Sequence, residues 1–241
     1  MSGRRTLLPH ASLPDGGGIA EAYDGDAPHD LLRVMPDGSW VPLWTAAQST
    51  RQHRAGREFC WESVDGSKCQ GLPYEPAGPS KGFIAYVHGG LTWHSEDWVN
   101  PKIGFWVQAG YTVLDLNYRG STGFGSAWRE AVKADGWGGR EQADIRAGIE
   151  AAIAQGYATK GMIAVAGNSY GDFSSWFAIT RHSDLVNAAI PMCGMYRLDI
   201  DYHATEMPHG RAYSEEMMGG TPEQFPEKYA NAGPGNFIHQ I

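Results

Sequence analysis

Apolar residues along the chain follow two regimes that meet near residue 82. Before that point, short mixed runs are separated by turn dipeptides. Asp37-Gly38 separates Leu31–Met35 from Trp40–Trp44, a strand pair. Asp65-Gly66 separates Glu58–Ser63 from Cys69–Tyr74, which together predict an antiparallel hairpin. Beyond it, compact apolar runs alternate with helical spacing. Phe83–Val87, Thr112–Leu116, Met162–Ala166 and Ala188–Met192 predict buried strands. Between them, Asp97–Gln108 has helical spacing with Pro101 in its first turn. Arg140–Gln155 sets Ile145, Ile149, Ala152 and Ile153 on one stripe and stops at Gly156, and Asp172–His182 sets Phe173, Trp176 and Phe177 on one face. Buried strands alternating with helices predict an α/β fold, a mostly parallel sheet with helices on both faces. From Met195 to Ile241 a polar stretch broken by Pro208, Pro222, Pro226 and Pro234 predicts loops and short helices. Residues 1–57 read as an N-terminal extension and residues 58–241 as the α/β domain.

Composition narrows the function classes. With 42% hydrophobic and 12% aromatic residues in 241, the chain can bury a core without disulfide or metal staples. Nineteen Lys and Arg against 27 Asp and Glu give a net charge of −8, which argues against a binder of nucleic-acid phosphates. A two-residue turn at Asp65-Gly66 places Cys69 opposite Glu62 rather than Cys60, so Cys60, Cys69 and Cys193 read as free thiols. Pro9, His10, Pro14 and Asp15 interrupt the segment where a signal peptide needs an apolar run, and no run approaches the ~18 apolar residues of a membrane span. The expectation is a soluble, cytoplasmic protein with no nucleic-acid or membrane partner.

Gly167-Asn168-Ser169-Tyr170-Gly171 is a G-x-S-x-G that directly follows an apolar strand and directly opens an amphipathic helix. In that setting a sharp turn lifts the serine hydroxyl clear of the sheet, and the flanking glycines avoid collisions with neighbouring backbone. The helix N-terminus favours a developing oxyanion. The competing reading makes Ser169 an ordinary N-cap. His88-Gly89-Gly90, also after a strand, is a Gly-rich turn of the kind that offers one oxyanion N–H, with the residue after the nucleophile offering the other. That assigns Gly90 and Tyr170 to the oxyanion hole and leaves His88 as a core histidine bonded to backbone. Downstream, Asp201 and His203 obey the chain order of a triad, yet an acid and a base two residues apart are hard to align behind one serine. Asp199, Asp201 and His203 could instead face a metal; a solvated polar loop is the preferred reading. The glycines of Gly120–Gly125 run in reverse of the dinucleotide fingerprint, and no Gly-Lys-Ser/Thr occurs, so no cofactor and no metal are expected.

Taken in order, His88-Gly89-Gly90, Tyr118-Arg119-Gly120-Ser121-Thr122-Gly123-Phe124-Gly125, Gly136-Trp137-Gly138 followed by Asp144-Ile145, and Gly167-Asn168-Ser169-Tyr170-Gly171 resemble the prolyl oligopeptidase family. The acylaminoacyl-peptidase and dipeptidyl-peptidase branches are nearest in pattern, and the likeness runs from about Phe59 to Ile241. It implies an α/β-hydrolase domain in which Ser169 attacks a carbonyl of a small peptide or ester while Gly90 and Tyr170 hold the tetrahedral intermediate. Two departures accompany it. Family members usually carry a large N-terminal β-propeller, whereas fewer than 60 residues precede the hydrolase part here, so no full propeller is expected. The family's acid and histidine follow the last two strands, and Asn236–Ile241 resembles the segment just before the first of them. The expectation is therefore a hydrolase fold lacking its last two strands and truncated before the acid and the base.

Two functional readings follow from that resemblance. One is a serine peptidase or esterase acting through an acyl-enzyme on Ser169. The other is a catalytically incomplete relative acting as a binding or scaffold protein. Ending the sheet at Ala188–Met192 leaves Ile190 and Met192 short of neighbours, an open edge suited to an oligomer or a complementing polypeptide. Tyr170, Trp93, Trp98 and Trp128 are candidate pocket walls.

Overall fold

The computed structural model describes residues 6–46, apart from 26 and 28, and residues 58–241, apart from 208. A first sheet holds four antiparallel strands in chain order: β1 (Thr6–Ser12), β2 (Gly18–Tyr23), β3 (Asp30–Val34) and β4 (Trp40–Trp44). The turn residues Asp37-Gly38 mark the β3–β4 hairpin, and Gly38 adopts φ 82° there. The hydrophobic pattern does not announce β1 and β2. Pro9 and His10 break the alternation in β1, and a register shift between Pro9 and Ala11 absorbs the break. The sheet buries Ala20, Ala22, Tyr23 and Leu32. It meets the rest of the chain where the Tyr23 hydroxyl donates to Glu96 at 2.8 Å and where His29 sits edge-on to Trp98.

The second sheet has six strands: β5 (Phe59–Glu62), β6 (Lys68–Tyr74), β7 (Phe83–Val87), β8 (Thr112–Asn117), β9 (Ile163–Asn168) and β10 (Ala188–Met192). Their spatial order is β10-β9-β7-β8-β6-β5. The first four run parallel, while β6 runs antiparallel to both β8 and β5, so the sheet is mixed. Every residue of β7 and β8 is buried, which is why these strands read as continuous apolar runs rather than alternating ones. The β5–β6 register differs from that of a two-residue turn: Trp61 faces Cys69 and Cys60 faces Gln70. Gly66, at φ 79°, donates to Ser63 C=O, and Ser63 N–H donates to Ser67 C=O, so the turn takes one more residue in a left-handed conformation and shifts the register by one. All three cysteines remain unpaired.

Helices α1 (Pro101–Gln108), α2 (Ser126–Glu130), α3 (Arg140–Ala154) and α4 (Tyr170–Arg181) follow. Helix α1 begins at Pro101, not at Asp97, because the residue before a proline is pushed out of the helical region. Asn100 is extended and caps the N–H groups of Lys102 and Ile103. Ile103 and Val107 of α1 pack on one face of the sheet with Ile84, Tyr86 and Val113. On the other face, Ile145, Ile149 and Ala152 of α3 and Phe173 and Phe177 of α4 pack with Trp61, Leu116 and Val165. The final segment forms α5 (Leu198–Ala204), α6 (Gly210–Met218), α7 (Pro226–Ala232) and a 3-10 helix over Pro234–Gln240. Asp199, Asp201 and His203 thus lie on a helix rather than a strand or loop, because Leu198 and Tyr202, four residues apart, are both buried. No described helix is long and apolar enough to cross a membrane.

One ionic network ties the sheet to the helices. Arg119, only 2% exposed, grips fully buried Asp144 of α3 with its Nε (2.8 Å) and Nη2 (2.7 Å), while its backbone N–H donates to the same carboxylate at 2.9 Å. Its Nη1 reaches Asp65 in the β5–β6 turn at 2.9 Å, and the Ser63 hydroxyl donates to Asp144. Hydrogen bonding from Arg119 holds the Asp65 carboxyl well below the usual carboxylate range. We expect Asp144→Ala to lose about 3–5 kcal/mol in urea denaturation, because it removes the fully buried counter-charge of Arg119 and leaves the buried Nε without an acceptor. Asp184→Ala, which breaks the more exposed pair with Arg146, is expected to lose no more than about 1 kcal/mol.

Asp115 of β8 is buried with a hydrogen bond from the Ser95 hydroxyl, and desolvation pushes its pKa from 3.8 up to about 7. The folded state therefore holds its proton more tightly than the unfolded one. Its contribution to stability is greatest below the unfolded value and is lost as pH rises through the folded one. Asp115→Asn is accordingly expected to gain stability relative to the unsubstituted chain at pH 8 compared with pH 4, by an amount on the order of 2 kcal/mol. Denaturation midpoints at the two pH values check this.

Candidate active site

Ser169 is the single residue between the end of β9 and the start of α4, at φ 55° and ψ −112°. Among the described residues, three non-glycines have positive φ: Leu91, Ser169 and Cys193. They follow β7, β9 and β10 respectively, three neighbouring parallel strands, so the strained backbone gathers at the carboxyl ends of the sheet. The glycines make the turn feasible. A Cβ on Gly167 or on Gly171 would fall on the Val87 carbonyl oxygen, and one on Gly194 would fall on the Ser169 carbonyl oxygen. The Ser169 side chain is exposed, makes no capping bond to α4 and has no hydrogen bond among the described residues. Its backbone N–H is tied to Met192 C=O at 3.0 Å.

Gly90 turns at φ 77° just after β7. Among the described residues, neither the Gly90 nor the Tyr170 N–H has an acceptor. The Tyr170 ring is buried, and its hydroxyl donates to Glu141 Oε1 at 2.8 Å. That oxygen also accepts from the N–H groups of Gly138 and Gly139, while Oε2 has no partner among the described residues. Burial pushes the Glu141 carboxyl up to about 7. His88 lies in the core, with Nδ1 against Gly89 C=O (2.9 Å), Nε2 against the Ser121 hydroxyl (2.8 Å) and its ring stacked on Tyr118. Burial brings its pKa down to about 4, so it stays neutral.

No described histidine hydrogen-bonds Ser169. His182 packs against Phe177 beyond α4 and contacts Arg146, and burial lowers its pKa to about 4. His203 pairs with Glu223 at 3.1 Å. His209 and His239 are exposed. Asp201 accepts from the backbone N–H groups of Tyr196 and Arg197, and Asp199 pairs with Arg197, so Asp201 and His203 do not stand in series behind the serine. Among the described residues no three His, Cys, Asp or Glu side chains gather as a metal site requires.

A cavity of about 450 Å³ opens beside Ser169. Of the four aromatic residues read from sequence as pocket walls, it takes Tyr170 alone. Trp93 is largely exposed, Trp98 faces His29, and Trp128 lies by Arg119. The other aromatic walls are Trp137, Tyr202 and Tyr213. Trp137 sits in the Gly136-Trp137-Gly138 motif, so the sequence marks its position but not its place in the wall. Tyr202 and Tyr213 come from α5 and α6, where no motif marks them.

The sequence profile of the prolyl oligopeptidase family matches residues 98–240. The chain belongs to the prolyl oligopeptidase family. It is 37% identical over 105 residues to dipeptidyl peptidase family member 6 of Caenorhabditis elegans, covering 44% of this chain and 14% of that one. It is 28% identical over 235 residues to dipeptidyl aminopeptidase BIII of Pseudoxanthomonas mexicana, covering 82% of this chain and 34% of that one. Its fold superposes on a Mycobacterium tuberculosis puromycin-hydrolyzing peptidase with a TM-score of 0.83 at 24% identity, over 93% of this chain and 36% of that one. The chain thus spans about a third or less of the length of these prolyl oligopeptidase relatives.

Gly171→Ala tests the contact on which the turn depends. Its methyl group has nowhere to go but into Val87 C=O, so we expect a loss of about 3 kcal/mol or more, measured by chemical denaturation. Gly123→Ala, with open space around the same atom and a φ of 89° as its one obstacle, is expected to cost only about 1 kcal/mol.

Proposed function

We propose that this chain forms the nucleophile half of a serine hydrolase site of prolyl oligopeptidase type, and that on its own it binds a small peptide or ester without turning it over. The observation that carries this reading is Ser169 itself. It is exposed on a strained turn, adjoins two N–H groups without acceptors, opens onto an aromatic cavity, and has no histidine bonded to it among the described residues. With a base in reach, Ser169 Oγ would bond to the acyl carbon and pass its proton to that base. The N–H groups of Gly90 and Tyr170 would hold the charged oxygen, the amine or alcohol would leave carrying the proton, and water would then release the acid. Without the base, the hydroxyl keeps its ordinary weak nucleophilicity, and binding and the oxyanion hole are what remain.

The base belongs, on this reading, to a further segment that adds a strand beside β10, carried either by a longer form of the chain or by a separate polypeptide. Among the described residues β10 is the outer strand of its sheet, and that edge with the half-buried side chains of Ile190 and Met192 supports the placement. With that segment in place the site would act as a peptidase or esterase. The dipeptidyl aminopeptidase relative supports a small peptide substrate. Residues 6–44 are read as an accessory sheet outside the hydrolase domain that starts near residue 58, and three unpaired thiols favour a cytoplasmic setting.

Fluorophosphonate labelling of the purified chain, with Ser169→Ala as control and peptide mapping of any adduct, tests the proposal. The expected result is no adduct at Ser169 above background, together with calorimetric binding of an N-acyl dipeptide amide that Ser169→Ala changes by less than about threefold. Labelling confined to Ser169 would place a base within this chain or its oligomer and overturn the reading.

A further inference from the structure

Tyr213 lies on α6, outside every motif, yet its hydroxyl donates to the carbonyl of Gly90 at 2.9 Å. The turn it touches is costly to hold: Gly90 and Leu91 are left-handed in succession, at φ 77° and 59°. A non-glycine stays in that region only where its surroundings over-determine it. The start of the turn is fixed by the Tyr118 hydroxyl on His88 C=O (2.9 Å) and by His88 against Ser121. Its far end is fixed by the fully buried Leu91 side chain. The centre is held by Tyr213, the one side chain among the described residues that bonds the Gly90 carbonyl.

The same residue faces the cavity beside Ser169. Its ring packs on Trp137 with centroids 5.9 Å apart, and Trp137 packs in turn on Tyr170 at 6.0 Å. One aromatic row therefore touches both residues whose N–H groups are free. At one end it acts through a hydroxyl on the Gly90 peptide, and at the other through a ring against Tyr170. The row's outer member sits on α6, which a Tyr202–Glu215 contact ties to α5 and a Lys133–Glu216 contact ties to the segment that follows α2. A ligand in the cavity lies between that wall and Ser169, and packing on Tyr213 restrains the ring that carries the hydroxyl.

We propose that Tyr213 is a positioning residue through which occupancy of the cavity by an aromatic acyl group fixes the 88–92 turn and so presents the Gly90 N–H to an anionic oxygen. This rests on the reading of the Ser169 site given above. By reciprocity, whatever the ligand gains from an ordered turn, the turn gains from the ligand.

Hydrogen exchange read by mass spectrometry on peptides spanning residues 86–94 tests this, with N-acetylphenylalaninamide as the probe, in the unsubstituted chain and in Tyr213→Phe. The probe is expected to slow exchange across residues 88–92 about fivefold, the worth of one net hydrogen bond. In Tyr213→Phe, which keeps the ring, that slowing is lost and probe affinity falls by about the same fivefold, as reciprocity requires. A purely structural role would speed exchange equally with and without the probe. Absence of any probe-dependent slowing in the unsubstituted chain, or equal slowing in Tyr213→Phe, overturns the proposal. Exchange requires no chemistry at Ser169, so failure here and failure of the labelling prediction are separate results.

Discussion

The buried pair of Arg119 and Asp144 is the constraint on which the rest of the architecture depends. Arg119 leaves β8 at its carboxyl end, where the Gly-rich loop begins, and Asp144 sits on the first turns of α3. Five donors in a rigid fork let one guanidinium hold α3 against the sheet and the β5–β6 turn against both. Burying two charges is expensive, and the cost is tolerable only because every polar neighbour is also committed: Ser63 donates to Asp144, and the Trp61 indole donates to the Asp144 carbonyl. What the pair supplies is placement. It sets the start of α3, and with it Trp137 and Glu141, on which Tyr170 rests.

From that frame the strained backbone at the strand ends follows. Parallel strands deliver their carboxyl ends to one side of the sheet, and there Leu91, Ser169 and Cys193 adopt left-handed conformations side by side. Contacts as close as those of Gly167 and Gly171 with Val87 C=O leave no freedom for the turn to relax. Among the described residues the N–H groups of Gly90 and Tyr170 are left without acceptors, which is what the proposed oxyanion hole requires.

The cavity wall has a different origin. Its inner side comes from the motif-bearing segments, and its outer side from α5 and α6, which Leu198, Tyr202, Met217 and Met218 anchor in the core. The strand ends and this wall are linked by the hydrogen bond from Tyr213 to Gly90.

The alternation of apolar runs and helical stripes determined the α/β class, the four parallel strands, helices α3 and α4 to within two residues, and the strand–turn–helix setting of Ser169. Each of these is local: burial on both faces writes a continuous apolar run, a helix writes a stripe, and a tight turn demands glycine. Strands β1 and β2 were not legible because a bulge at Pro9 broke the alternation, and the β5–β6 register moved by one because Gly66 took an extra turn position. The Asp199–His203 segment became a helix because two buried apolar residues lie four apart. Which aromatic residues surround Ser169, which histidines stand away from it, and which hydroxyl holds the Gly90 turn were decided only by the tertiary structure. Those relations join residues as far apart as Gly90 and Tyr213, and a pattern of period two or 3.6 carries no information over such a separation.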